Sequence, residues 1–112
     1  MELRTLRYFL AIVREGTISE AAQSLHLSQP TLSRQMKELE RELGAALFTR
    51  GGGQRVALTE AGARLRKRAE QLVDLAELAE AELRTLGAEI SGDIRIGAGE
   101  TPAVERLADA AK

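Results

Sequence analysis

The sequence predicts a mainly α-helical fold. Leucine and alanine recur at spacings of three and four residues along most of the 112-residue chain, as amphipathic helices require. Aromatic residues make up only 3% of the chain, which favours helices rich in leucine and alanine over a β-sandwich. Two short runs of β-forming residues flank a Gly-Gly-Gly-Gln turn at 51–54, so one small hairpin is expected to interrupt the helices.

Composition excludes several classes of protein. The chain has no cysteine and one histidine, so neither a disulfide framework nor an ordinary zinc site is expected, and no cofactor is predicted. It shows no secretory signal and no apolar run of transmembrane length, which predicts a soluble, cytoplasmic protein without a membrane partner. His26 falls in a predicted inter-helix turn as a packed or capping residue, and no glycine-rich loop follows a buried strand, so an enzyme is not expected.

The first helix is predicted over residues 2–15 and ends at Gly16, a residue type that commonly follows the last turn of a helix. Its apolar stripe is expected to cover the apolar side of the elements that come next. The stripe consists of Leu3, Leu6, Phe9, Leu10 and Val13.

Two short helices joined by a tight turn are predicted within residues 17–43. Thr17 and Glu20 have the spacing of a capping box, in which the hydroxyl accepts a backbone N–H and the carboxylate reaches back. Ser28 is a good cap for the second helix, and Pro30 suits its first turn because a missing N–H costs little there. The faces expected to be buried are formed by Ile18, Ala21, Ala22 and Leu25 in the first helix and by Leu32, Met36, Leu39 and Leu43 in the second.

The second of these helices carries a basic outer face. On a helical wheel of about 100° per residue, Arg34, Lys37 and Arg41 lie opposite the apolar stripe. Such a face suits a DNA major groove, where arginine forks onto guanine, glutamine onto adenine, and serine onto either. Two helices joined by a short turn, the second of them reading DNA with its N-terminal residues, form a helix-turn-helix. A merely solvated charged face has the same pattern, so spacing alone leaves both interpretations open.

Residues 47–50 and 55–58 are predicted as the two strands of a hairpin, which together with the three helices makes a winged helix-turn-helix. Arg50 and Arg55 flank the hairpin tip and would reach the DNA backbone or the minor groove. The glycines at 51–53 carry no charge, so a surface hairpin without DNA contacts is an equally good interpretation.

The net charge of −1 conceals an uneven distribution. Residues 1–58 contain eight lysines and arginines against six acidic residues, whereas residues 59–112 contain eight against eleven. DNA affinity depends on local phosphate contacts rather than on total charge, so the basic first half is compatible with DNA binding. Its small excess predicts that a single copy would bind DNA weakly.

A long helix is predicted to start at the cap Thr59 and to end near Leu86 or Ile90. Its apolar residues repeat at positions a and d over four heptads, which is typical of a coiled coil and indicates that the helix needs a partner. A basic first half and an acidic second half favour an antiparallel homodimer, while packing on its own domain is the competing interpretation. The predicted dimer interface consists of Leu65, Leu72, Ala76, Leu83 and Leu86.

The last part of the chain has a different pattern. Gly87 and Gly92 bracket a predicted linker, after which residues 93–98 alternate polar and apolar side chains, as a strand does. A short amphipathic helix is predicted from Pro102 onward. Because one strand and one helix cannot form a core, we expect that residues 90–112 are the truncated start of an α/β domain.

Several motifs resemble those of the LysR-type transcriptional regulators. The segment GDIRIGA at 92–98 is similar to the first strand of that family's effector domain, so the resemblance covers essentially the whole chain. The other motifs are LRYF at 6–9, AAQSLHLSQPTLSRQ at 21–35, LERELG at 39–44, LFTR at 47–50 and LTEAG at 58–62.

The resemblance implies that the winged helix-turn-helix binds operator DNA as a dimer and that the linker helices pair antiparallel. It further implies association of dimers into tetramers, RNA polymerase as a partner, and a periplasmic-binding-protein-like effector domain that senses a small-molecule inducer. Thr101 corresponds to an effector-contacting hydroxyl of the family. The DNA contacts that the resemblance implies are Gln29, Pro30, Ser33 and Arg34 at the bases, Thr31 and Lys37 nearby, and Arg50 and Arg55 on the wing.

The predicted organisation is therefore a winged helix-turn-helix DNA-binding domain at 1–58, a dimerisation helix at 59–89, and the start of an effector-binding domain at 90–112. The predicted function is that of a sequence-specific DNA-binding transcriptional regulator. The alternative is a truncated interaction module, which pairs with a full-length regulator and titrates it into inactive heterodimers.

Overall fold

The computed structural model describes residues 1–49 and 55–96. Over that part of the chain there are four helices, and the predicted mainly α fold is confirmed. They are α1 (Leu3–Glu15), α2 (Ile18–Leu25), α3 (Gln29–Leu43) and α4 (Glu60–Ile96). The chain divides into two compact units, Met1–Val73 and Asp74–Lys112, and α4 begins in the first and continues into the second.

Two glycines end helices where the sequence predicts. Gly16 follows α1 with φ 90°, and its N–H donates to the carbonyl oxygen of Ile12 at 2.8 Å. Gly44 follows α3 with φ 72° and donates to the carbonyl oxygen of Glu40 at 2.8 Å. Both lie in the left-handed region, which glycine adopts without the steric cost that a side chain would add.

The turn between α2 and α3 is built from local caps. The Thr17 hydroxyl accepts the N–H of Glu20 at 3.0 Å and so begins α2. His26 ends α2 in the left-handed region with φ 60°, donating its N–H to the carbonyl oxygen of Gln23 at 3.2 Å, so its predicted capping role is confirmed. Ser28 accepts the N–H of Thr31 at 3.2 Å and begins α3.

Helices α1, α2 and α3 enclose one hydrophobic core in the first unit. The predicted stripes of these helices lie in or against it, with one exception. Leu43 is 39% exposed, because it occupies the last residue of α3 just before the chain turns away at Gly44. The largest fully buried side chains are Phe9, Ile12, Leu32, Leu39 and Leu47.

The prediction of two hairpin strands at 47–50 and 55–58 is wrong for the described residues. The described parts of the two segments, 47–49 and 55–58, are the hairpin arms. They form a single antiparallel bridge, Phe48 to Leu58, supported by a hydrogen bond from Thr49 N to Ala57 O at 2.8 Å. Two arms this short cannot sustain a ladder by themselves, and contacts with the helices hold them instead. Arg50 and the tip at 51–54 lie outside the described residues.

The beginning of α4 packs on its own domain. Thr59 caps it, accepting the N–H of Gly62 at 3.0 Å and donating its hydroxyl to the carbonyl oxygen of Ala46 at 2.6 Å. Ala69 and Val73 are buried in the core of the first unit. The first part of the predicted heptad seam is therefore covered by the core of its own domain. For this segment the competing interpretation, packing on its own domain, holds.

The far end of α4 corrects the predicted linker and strand. The helix continues past Gly87 and Gly92 to Ile96, so residues 93–96 of the strand predicted at 93–98 are helical. The rest of that strand and the helix predicted from Pro102 lie outside the described residues. A helix satisfies its backbone hydrogen bonds within itself, whereas a strand needs a neighbouring strand, and a short run of alternating residues does not overcome that difference. None of the helices in the described ranges combines the length and the apolar character needed to cross a membrane.

Candidate nucleic-acid interface

The residues of α3 predicted to contact DNA lie on its outward side. The opposite side, represented by Leu32 and Met36, is buried in the core and holds the helix in place. The N-terminal half of α3 is therefore available to a partner without unfolding of the domain. The predicted residues that are exposed are Gln29, Pro30, Arg34 and Lys37, and those that are half-buried are Thr31 and Ser33.

The start of α3 is preorganised by side-chain hydrogen bonds. The Ser28 hydroxyl donates to Thr31 Oγ1 at 2.7 Å while it accepts the backbone N–H of the same residue. Pro30 in the first turn has no N–H to leave unpaired. Gln29 is thus presented at a fixed helix end, where the positive end of the helix dipole also attracts anions.

Arg34 is held only loosely by its own protein. Its Nε lies 4.0 Å from Glu38 Oε2, one helical turn further along α3, and both side chains are mostly exposed. An exposed pair of this kind contributes little to stability. The guanidinium is therefore able to exchange this partner for a base edge or a phosphate at small cost.

A groove of about 920 Å³ runs between the start of α2, the outward side of α3 and the hairpin arms. It brings together Gln29, Ser33, Lys37 and Arg55 from the predicted set, whereas Pro30, Thr31 and Arg34 lie on α3 outside its lining. Its lining residues are Thr17, Ile18, Ser19, Glu20, Gln29, Ser33, Met36, Lys37, Glu40, Phe48, Thr49, Arg55 and Val56.

Arg55 lies where the second hairpin arm meets the junction of α1 and α2. A Cβ placed on Gly16 would come within 2.5 Å of Arg55 Nη2, so the guanidinium lies directly over that glycine. The next residue, Val56, donates its N–H to the carbonyl oxygen of Gly16 at 3.0 Å. The exposed Arg55 side chain is therefore anchored beside the beginning of α2 and within reach of anything that enters the groove.

Sequence reasoning assigned no role to Glu40, which proves to join α3 to the hairpin. Its Oε2 accepts the backbone N–H of Leu47 at 2.7 Å and that of Phe48 at 3.4 Å. The available signal was its place on the helical wheel, where it borders the apolar stripe instead of sharing the solvated face with Glu38 and Glu42.

The predicted dimer-interface residues differ in their surroundings. Leu65 packs against the core of the first unit, where Leu72 is exposed. In the second unit Leu83 is 63% exposed. A side chain that a partner copy would cover is expected to be exposed when a single copy is considered. Leu75 and Leu78 are 62% and 54% exposed, and the sequence did not place them in the interface because they do not occupy the a and d positions of the predicted heptad. Ala76 and Leu86 are half-buried, and Thr101 lies outside the described residues.

A capped helix pair with an outward polar and cationic face, followed by a short hairpin, defines a winged helix-turn-helix module. Residues 3–63 match the family model of the bacterial regulatory helix-turn-helix proteins of the lysR family. The chain therefore belongs to the lysR family, and the resemblance seen in its motifs is confirmed.

Relatives and solved structures agree with this assignment. The HTH-type transcriptional regulator BsdA of Bacillus subtilis (strain 168) is 43% identical over 97 residues, which are 87% of this chain and 33% of BsdA. The chain thus spans about a third of the length of that relative.

Two crystal structures of DNA-binding domains give the same fold. The BenM_DBD/catB site 1 DNA complex matches with a TM-score of 0.76 and 37% identity, over 80% of this chain and 95% of that one. The CbnR_DBD-DNA complex matches with a TM-score of 0.71 and 38% identity, over 76% and 97% of the two chains. These likenesses confirm the winged helix-turn-helix fold.

Proposed function

We propose that this chain binds a specific double-stranded DNA sequence as a homodimer and thereby acts as the DNA-binding module of a transcriptional regulator. The observation that carries the proposal is the exposed N-terminal half of α3, where Arg34 lies beside the groove that Gln29, Lys37 and Arg55 line. The crystallised DNA complexes of two similar domains support it.

The roles of the side chains follow from their chemistry. A helix about 10–12 Å across fits a major groove about 12 Å wide, so α3 enters it with its N-terminal end. Gln29 and Arg34 read base edges there, because an amide pairs with adenine and a guanidinium with guanine. Pro30 and Ser33 lie against the same bases, with Thr31 nearby. Lys37 contacts phosphates instead, as do the wing residues Arg50 and Arg55.

The dimer forms through α4. Leucines such as Leu75 and Leu83 in the second unit expose more than half of their surface, and a second copy of the helix would bury them. The basic residues early in α4 and the acidic residues later in it favour an antiparallel pair. Such a dimer presents two copies of α3 to the two halves of an operator.

The family resemblance supports further proposals about an effector. By analogy with the family, residues from 90 onward begin a domain that binds a small-molecule inducer, with Thr101 among its contacts. Tetramer formation and contact with RNA polymerase belong to the same proposal.

Substitution of Arg34 tests the proposal at its centre. The probe is a duplex selected from a random library with the wild-type chain, hereafter the selected duplex. We expect Arg34→Ala to cost about 1–3 kcal/mol of binding free energy and to relax the preference at one base pair. Arg41→Ala is the matched control, since it removes the same charge from the same side of α3 near the helix end, where base contacts are not expected.

Titration of the selected duplex and of its single-base variants measures both effects. Equal weakening on every duplex would make Arg34 a phosphate anchor. Unchanged binding by Arg34→Ala, or the same relaxed preference in Arg41→Ala, would remove Arg34 from base recognition.

The second candidate function is that of an interaction module, which pairs with a full-length regulator and holds it in inactive heterodimers. The exposed leucines of α4 favour this function. A face containing Leu75 and Leu83 needs only another helix, and no DNA, to become buried. A gel shift with the 112-residue chain discriminates between the two functions. Sequence-selective binding supports the DNA-binding module, whereas a dimer that shifts no duplex supports the interaction module.

A further inference from the structure

Glu40 is the point at which α3 holds the first hairpin arm. Its carboxylate accepts two backbone N–H groups, from Leu47 at 2.7 Å and from Phe48 at 3.4 Å. Hydrogen bonds to an ionised acceptor are stronger than neutral ones. The bonded residues follow Glu40 by seven and eight positions, so the side chain bridges the turn after α3 and does not stabilise the helix itself.

The hairpin is also in contact with other elements. Val56 in the second arm donates to the carbonyl oxygen of Gly16 at the end of α1. The Phe48 ring packs on Phe9 of α1, with a centroid distance of 5.5 Å. Leu47 accepts the N–H of Thr59 at the start of α4. The Glu40 carboxylate thus ties the hairpin directly to the helix that carries the outward cationic face.

We propose that Glu40 is a positioning residue for DNA binding. It sets the placement of the hairpin, which is the wing of the fold, relative to α3, so that Lys37 and Arg55 contact the same duplex. The three side chains line one groove, so a displacement of the hairpin changes the spacing between its cationic groups. This inference rests on the proposed DNA-binding function.

The sign of the effect distinguishes positioning from simple electrostatics. A carboxylate in a groove that receives DNA repels phosphates, so removal of its charge alone strengthens binding. Removal of a carboxylate that positions the wing weakens binding, because the wing then loses its phosphate contact. Glu40→Gln separates the two, since glutamine keeps an oxygen that accepts N–H groups and lacks the charge.

The experiment measures affinity for the selected duplex as a function of salt concentration. We expect Glu40→Ala to weaken binding about tenfold and to flatten the salt dependence, because a phosphate contact is lost. Glu40→Gln should bind within about twofold of wild type, since the acceptor is retained. Glu42→Ala is the matched control, because it removes the same charge from an exposed position on the same helix and should also stay within about twofold.

A double substitution distinguishes positioning from a general loss of stability, because the measured quantity is the change in affinity that Glu40→Ala causes when Arg55 is absent. With Arg55→Ala already present, the additional effect of Glu40→Ala should shrink to about threefold or less, because the contact that Glu40 positions is gone. If Glu40→Ala does not fold, Glu40→Asp replaces it, since the shorter side chain keeps the charge and loses reach to Leu47.

Tighter binding by both Glu40→Ala and Glu40→Gln would overturn the inference in favour of repulsion. The inference would also be overturned if the effects of Glu40→Ala and Arg55→Ala on affinity were fully additive, or if folded Glu40→Ala bound with unchanged affinity. In either case selective binding by the wild-type chain would leave the proposed function intact. Failure of the wild-type chain to select any duplex would overturn the proposed function and this inference together.

Discussion

At the scale of single residues, Gly62 lies where the backbone at Leu47 comes very close to α4. A Cβ at this position would lie 2.1 Å from the carbonyl oxygen of Leu47, which is backbone and cannot rotate away. Gly87, also within α4, has open space around the same position. The two glycines therefore respond in opposite ways to one added methyl group.

We expect Gly62→Ala to destabilise the folded chain by about 1–3 kcal/mol, because the backbone of the hairpin or of α4 must shift. Gly87→Ala is the control and should stabilise its helix by up to about 1 kcal/mol, since alanine favours helix more than glycine. Urea denaturation followed by circular dichroism measures both. Wild-type stability in Gly62→Ala would show that the close contact with Leu47 is absent.

Residue-level predictions succeed where the relevant partner is close in the chain. Thr17 and Ser28 act as caps on N–H groups three residues away, so the sequence contains the whole interaction. Glu40 bonds to groups seven and eight residues away, across a turn whose path depends on tertiary packing. Gly62 fits a heptad pattern that is the same whether the helix packs on a partner or on its own domain.

At the scale of elements, α4 shows how one periodicity serves two purposes. The repeat that includes Ala69 and Leu83 reads as one continuous seam in the sequence. In the structure Ala69 is fully buried in the first unit, whereas Leu83 is exposed in the second. The pattern identifies the apolar positions correctly and contains no information about which surface covers each of them.

The exposed leucines of α4 make a prediction about assembly. We expect Leu83→Lys to weaken the homodimer about tenfold or more, because it places a charge where the partner helix would bury an apolar side chain. Thr85→Lys introduces the same charge at an exposed position on another side of α4 and should leave the dimer unchanged. Analytical ultracentrifugation over a concentration series measures both. Equal dimerisation by wild type and Leu83→Lys would show that Leu83 is outside the interface.

The elements that the sequence misassigns are short segments predicted as strands. Within the described residues the hairpin arms pair at one bridge, Phe48 with Leu58. Residues 93–96 continue α4, although their alternation predicts a strand. A strand is stabilised mainly by partners supplied from elsewhere in the fold, so a few alternating residues are weak evidence for it. Helices α1 to α3 carry caps and apolar faces together, and all three were predicted.

At the scale of the whole molecule, distribution of charge matters more than its total. The chain has a net charge of −1, yet Gln29, Arg34 and Lys37 are exposed together on α3, and Arg55 borders the adjoining groove. Family membership and fold were both predictable because the motifs are local and specific. The pairing of two copies was predicted from periodicity and charge, and it remains a prediction because it depends on a surface that a second chain must provide.

The central claim is that two copies, joined through α4, present two α3 helices to one duplex. The most direct measurement is the mass of the complex between the wild-type chain and the selected duplex, determined by sedimentation together with a footprint of the bound bases. The account predicts two chains on one duplex, with two protected half-sites whose centres are about one helical turn, or a small multiple of it, apart. A chain that sediments as a monomer and protects no particular sequence would contradict it.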